Sequence, residues 1–163
     1  GEGFCQRSGA ILLEDPHLLE AYGQRYLLSH GDALCTDDTA YQQFRAMSRN
    51  PAWQAAMLAR PLAERHAIAA QARMQSEAAK QQQGLSAITD VTEQAVLALL
   101  DQYDWPVLIH GHTHRPACHS YQQDNKTSQR WVLTDWYGNH GGYLRLDENG
   151  LQAHALTAGH QHD

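Results

Sequence analysis

The sequence predicts an α/β fold, and three observations carry that expectation. Two short apolar runs, Tyr26-Leu27-Leu28 and Val107-Leu108-Ile109, have the length and composition of buried strands. Each empties into a loop of histidine, glycine and polar residues, Ser29-His30-Gly31-Asp32 after the first and His110-Gly111-His112-Thr113-His114 after the second. Between them lies a long helical stretch with no βα alternation, and after them comes alternation of the Tyr143-Leu144-Arg145-Leu146 kind, which marks half-buried antiparallel strands. In open α/β sheets ligands sit beyond the carboxyl ends of the strands, so His30, His112 and His114 are expected to meet in space.

Taken in order, residues 1–8 read as the tail of a helix with Gly9 in the C′ role. Residues 10–14 and 18–22 read as short strands joined by the Asp15-Pro16 turn, and 24–29 is the strand that delivers His30. Thr36-Asp37-Asp38 is an N-cap cluster for a helix over 38–49, where Tyr41, Phe44 and Met47 fall three apart in one apolar stripe. Asn50-Pro51 breaks it and starts a helix to Arg60 that carries Trp53, Met57 and Leu58. After Arg60-Pro61 a long Ala- and Gln-rich helix runs over 62–83 until Gly84 ends it. A connection of this length between two strands suits plain helix–helix packing, or a lid over something apolar. A helix over 92–103, capped by Thr92, turns Val96, Leu97, Leu99 and Leu100 inward. Strands are expected at 105–110, 117–122, 129–135, 142–147 and 151–156, with turns at Asp124-Asn125 and Glu148-Asn149-Gly150.

Composition narrows the function. At 163 residues the chain is one domain's worth, and 42% hydrophobic with 18% charged residues excludes a disordered polymer. A net charge of −6 without a basic stripe excludes a general nucleic-acid binder. Cys5, Cys35 and Cys118 are odd in number and scattered, as reduced thiols of a cytoplasmic protein are. No apolar run approaches the roughly 20 residues of a membrane-spanning helix. There is no signal peptide and no initiating Met, which points to a fragment or a processed chain. Eleven histidines fit metal chemistry, since neutral imidazole is the commonest ligand for borderline divalent ions. His30 reads either as a ligand or as a satisfied core histidine. Asp32 reads either as orienting a ligand or as capping the turn. His119, His140 and His154 have no helpful spacing and read as surface residues, while His160 and His162 lie in a polar tail expected to be disordered.

His30-Gly31-Asp32 and Gly111-His112-Thr113-His114 resemble the last two metal motifs of the calcineurin-like metallophosphoesterases. Leu13-Glu14-Asp15-Pro16, the run from His30-Gly31-Asp32 through Leu34-Cys35-Thr36-Asp37-Asp38, and Asp135-Trp136-Tyr137 narrow the resemblance. Over nearly the whole chain it is to the UDP-2,3-diacylglucosamine diphosphatase family of lipid A synthesis. That family opens with Asp-x-His, Gly-Asp and Gly-Asn-(Arg/His)-Asp in series ahead of its His-Gly-Asp motif; that series is absent here, so the chain looks like the C-terminal portion of such an enzyme.

The resemblance implies part of a metallophosphoesterase β-sandwich flanked by helices. Its core would be residues 1–35 and 85–157, with N-terminal strands missing, a helical cap insertion at 36–84 and a disordered tail at 158–163. It implies two Mn²⁺ ions about 4 Å apart, with His30 and His112 on one and His114 on the other. His112 would be the catalytic residue, and Asp38, Ser76, Lys80, Gln83 and His112 would meet the substrate. Lys80 and Gln83 stand where the family usually has Asn or Thr and then Lys. Tyr41, Phe44, Met47, Trp53 and Met57 would line an apolar chamber for acyl chains, with Arg45, Arg49, Arg60, Arg65 and Arg73 as a cationic rim. The implied reaction is hydrolysis of UDP-2,3-diacylglucosamine to UMP and 2,3-diacylglucosamine 1-phosphate. It would take place at the cytoplasmic face of the inner membrane, on a peripherally bound enzyme. A chain lacking the bridging aspartate is expected to be inactive alone. Two other readings stand beside this one: another calcineurin-like phosphodiesterase or nucleotide pyrophosphatase with a soluble substrate, and a non-catalytic truncated module.

Overall fold

A computed structural model describes residues 2–82 and 89–157. The chain divides into two compact units, residues 1–34 with 93–163, and residues 35–92.

The first unit is mixed α/β. Helix α1 (Glu2–Ser8) ends at Gly9, whose φ of +71° lets its N–H reach back to the Cys5 carbonyl at 2.9 Å. Residues 10–14, expected as a strand, form none. A strand needs a hydrogen-bonding neighbour, and among the described residues this segment has none, so Ile11 and Leu12 stand 84% and 76% exposed. Strands β1 (His17–Ala21) and β2 (Gln24–Ser29) then form a hairpin. Its two-residue loop, Tyr22-Gly23, has positive φ at both positions, the turn whose twist matches the strands it joins.

Strand β3 (Val107–His110) lies parallel to β2, and β5 (Lys126–Val132) parallel to β3. Strand β4 (Ala117–Gln123) pairs antiparallel with β5, giving the order β1-β2-β3-β5-β4. The expected strand at 129–135 thus begins three residues earlier. The Asp124-Asn125 turn sets the register from Gln123 opposite Lys126, and the inward positions Ser128 and Arg130 are polar, which hid the strand's apolar face. Strands β6 (His140–Asp147) and β7 (Gly150–Thr157) form a separate two-stranded sheet. Glu148 and Asn149 make its loop, and Gly150, at φ +98°, already pairs with Asp147. His154, read as a surface residue, is half-buried and stacks on Tyr143 with ring centroids 5.0 Å apart.

The core gathers Leu27 of β2, Leu108 of β3, and Val96 and Leu100 of helix α5 (Glu93–Gln102), all fully buried. Val96 and Leu100 are four apart, so one face of α5 is apolar. Leu97 and Leu99 flank that face and are only half-buried.

The second unit is helical. Helix α2 (Thr39–Ser48) is capped by Asp38, whose Oδ1 accepts from Tyr41 N at 2.9 Å. Helix α3 (Pro51–Leu58) is capped by Asn50, with Pro51 in the first turn, and α4 (Leu62–Gln82) follows. No residue of α2 or α3 is buried, and Phe44 and Met47 are each 45% exposed. Among the described residues no helix is long and apolar enough to cross a membrane. Gln83, Gly84, His160 and His162 lie outside the described residues, as do the side chains of Ser76 and Lys80.

Candidate metal site

The parallel register decides which loops meet. Ser29 stands opposite His110 across β2 and β3, and His110 opposite Val132 across β3 and β5, so the loops after β2 and β3 leave the same edge side by side. They are stitched together where they leave, since Gly111 N donates to the His30 carbonyl at 3.2 Å. His30 is exposed and His112 half-buried, and their ring centroids lie 5.0 Å apart at an interplanar angle of 65°. The reading of His30 as a satisfied core histidine is therefore not what the fold holds.

Each loop is fixed by local hydrogen bonds. On the His30 side, Asp15 Oδ1 accepts from Ser29 Oγ at 2.8 Å and from His30 N at 3.3 Å, while Ser29 Oγ accepts from Gly31 N at 3.1 Å. The Asp15-Pro16 turn is thereby clasped to the loop. Asp32 is only 2% exposed and opens the 3-10 turn Asp32–Leu34. On the other side, Thr113 N donates to the Gly111 carbonyl at 2.8 Å around His112, whose φ is +68°. A three-residue turn with positive φ at its centre is the rare, strained form of γ-turn, and for a non-glycine residue it costs of order 1–3 kcal/mol. Here it swings the imidazole back toward His30. His114 also has positive φ, +55°, and its Nδ1 faces Asp135 Oδ2 at 3.6 Å.

The structure thus brings His30 and His112 together and sets His114 beside Asp135. Among the described residues no group of three or more His, Cys, Asp or Glu side chains closes into a metal-holding set. Asp38, in the helical unit, has one carboxylate oxygen engaged in capping α2. Sequence reasoning missed the Asp15–Ser29 clasp. Its signal was present, because a Ser directly before His-Gly at a strand end is a turn-forming hydroxyl in search of an acceptor.

Asp15→Ala is expected to free the His30 amide. Bonds to a charged acceptor contribute about 1.5–3 kcal/mol when buried, and less at this exposed site. Hydrogen exchange at His30 N should therefore accelerate roughly tenfold, against little change at Leu27 N in the core; equal exchange in both proteins would show the clasp to be idle.

No protein-family model matches the chain. It is 67% identical, over 94% of its length, to 63% of a UDP-2,3-diacylglucosamine hydrolase from Chromobacterium violaceum. It is 50% identical, over 96% of its length, to 62% of the protein of the same name from Bordetella pertussis. The corresponding figures for the Aromatoleum aromaticum protein of that name are 49%, 92% and 60%. The chain spans about three-fifths of the length of the curated relatives it matches.

Proposed function

From the premise that this chain belongs to the family of the UDP-2,3-diacylglucosamine hydrolases, we propose that the full-length protein hydrolyses the diphosphate of UDP-2,3-diacylglucosamine in lipid A synthesis, releasing UMP and 2,3-diacylglucosamine 1-phosphate. The observation that carries the reading is the approach of His30 and His112 at the carboxyl ends of two adjacent parallel strands. On this reading the mixed sheet is part of a calcineurin-like β-sandwich, and residues 36–84 are an insertion in it.

The paired rings fit a divalent cation. Two imidazoles each about 2.1 Å from one ion, in neighbouring positions, have centroids roughly 5 Å apart, and 5.0 Å is what separates these two. Nitrogen donors of this kind suit Mn²⁺ among other borderline ions. His30 and His112 would hold one Mn²⁺ and His114 would serve a second, with Asp135 beside its Nδ1 to orient the ring. A metal held there would supply charge neutralisation and would acidify water. The chain's own contribution is to hold three imidazoles in fixed directions, with His112 nearest the reacting phosphate and aimed by its strained turn.

The helical unit supports the lipid half of the substrate. Phe44 and Met47 are each 45% exposed and Tyr41, Trp53 and Met57 only half-buried, and we assign this apolar surface to the acyl chains. Asp38, Ser76, Lys80 and Gln83 are assigned to the sugar and phosphate. Apolar surface among the arginines of residues 45–73 suits peripheral contact with the cytoplasmic face of the inner membrane.

The test is UMP release from UDP-2,3-diacylglucosamine by the metal-free full-length protein, with and without added Mn²⁺. Release only with the ion is expected, and none under either condition would refute the reading. Phe44→Ala then separates substrates. Burying one aromatic side chain contributes roughly 2 kcal/mol, about thirtyfold in kcat/KM, when there is a chain to bury it against. That loss should appear with the acylated substrate and not with a deacylated analogue. Equal losses with both would favour a soluble nucleotide substrate.

A further inference from the structure

Two buried polar side chains beside the paired histidines have no part in the function proposed above: His110, fully buried, and Arg130, 4% exposed. Among the described residues no carboxylate stands within ion-pair distance of Arg130. A buried guanidinium with no carboxylate to neutralise it is costly, so the groups that hold it need explaining. Its Nε donates to Tyr121 Oη at 3.1 Å, its Nη1 lies 3.0 Å from His110 Nε2, and its Cζ lies 5.9 Å from the centre of the Tyr121 ring.

That contact fixes the histidine proton. A guanidinium only donates, so His110 Nε2 accepts and the proton resides on Nδ1. Nδ1 lies 2.8 Å from the Gly111 carbonyl, so the N–H donates there. The same carbonyl accepts Thr113 N at 2.8 Å and so closes the strained turn that presents His112. One backbone oxygen therefore receives two donors, one from the turn and one from a side chain braced by Arg130. Gly31 lies against the same ring: a Cβ at that position would come within 2.6 Å of His110 Nδ1. The imidazole is thus held between the His30 loop and the His112 loop.

We propose that His110, kept in its Nδ1–H form by Arg130, is a positioning residue that sets the turn aiming His112 at His30. Its consequence for metal affinity rests on the metal reading above; the geometric claim does not. Partners that orient a ligand typically change metal affinity by about 10–100-fold when removed.

The experiment uses the full-length protein with ¹⁵N-labelled histidine, first metal-free and then with Mn²⁺. In the wild type, two-bond couplings should place the His110 proton on Nδ1, and a cross-peak should connect the His30 and His112 rings. Arg130→Met should mix the two tautomers and weaken that cross-peak at least threefold. Mn²⁺ affinity should then fall about 10–100-fold, with kcat falling similarly and KM staying within about threefold. Tyr121→Phe removes only the hydroxyl on Nε, leaves the protein folded, and should shift every readout the same way by less. An Nε2–H wild type would overturn the proposal. So would an unchanged cross-peak and unchanged Mn²⁺ affinity in both variants alongside a lowered Tm, which would leave Arg130 a fold-holding residue. A wild type that binds no Mn²⁺ would sink the metal reading alone, because the tautomer and the cross-peak are read without metal.

Discussion

His112→Ala in the full-length protein is expected to lower kcat/KM by roughly a thousandfold or more, about 4 kcal/mol of transition-state stabilisation. Two losses combine. The pair it forms with His30 loses a donor, and a positioned group near developing phosphate charge is by itself typically worth about 10²–10³. Stability should move differently. His112 sits at φ +68°, which glycine adopts without strain, so His112→Gly should be equally inactive yet about 1 kcal/mol more stable than His112→Ala. Urea unfolding of the two variants beside steady-state UMP release checks both halves. A His112→Ala protein within tenfold of wild type would remove this residue from the chemistry.

The second large effect is at Gly31. Its φ is +100°, and a Cβ there would meet His110 Nδ1 at 2.6 Å, Gly111 O at 3.0 Å and His110 Cγ at 3.1 Å. None of these can retreat: the ring is pinned at both nitrogens and the carbonyl closes the His112 turn. Gly31→Ala should therefore cost about 3–5 kcal/mol, the sum of left-handed strain and overpacking. At the 2–4 °C per kcal/mol usual for chains of about this length, Tm falls by roughly 10 °C. Gly23→Ala is the control. Its φ of +74° is also left-handed but nothing lies within 4 Å, so it should cost only about 1–2 kcal/mol. Equal losses at the two positions would mean the imidazole yields and is not held.

Much of this is legible in the sequence. Local signals sufficed for β2, for the Asn50-Pro51 break and for the cap at Asp38, because a strand's apolar run, a proline and an N-cap carboxylate act within a few residues of themselves. The meeting of His30 with His112 was legible through a rule about parallel sheets. Non-local facts were not. Residues 10–14 have strand composition but no partner among the described residues, and composition cannot supply one. The start of β5 was displaced because Arg130 and Ser128 occupy inward positions where the pattern expects apolar residues. The side-chain partners of those polar positions, Tyr121 across the β4–β5 hairpin and the Pro106 carbonyl, appear only once the strands are laid side by side.

The helical unit closes on itself at its ends. Thr36 N donates to Thr92 Oγ1 at 3.3 Å, and the two hydroxyls hydrogen-bond to each other. A segment that departs and returns through one pinned point is a cassette. Lengthening a loop between fixed ends costs only about 0.6 kcal/mol per doubling, so the 55 residues between those threonines can be shortened, extended or exchanged at small thermodynamic cost. The segment can then vary while the strands that present the histidines stay as they are. For the same reason, a chimera that carries another lineage's segment between Thr36 and Thr92 should still fold.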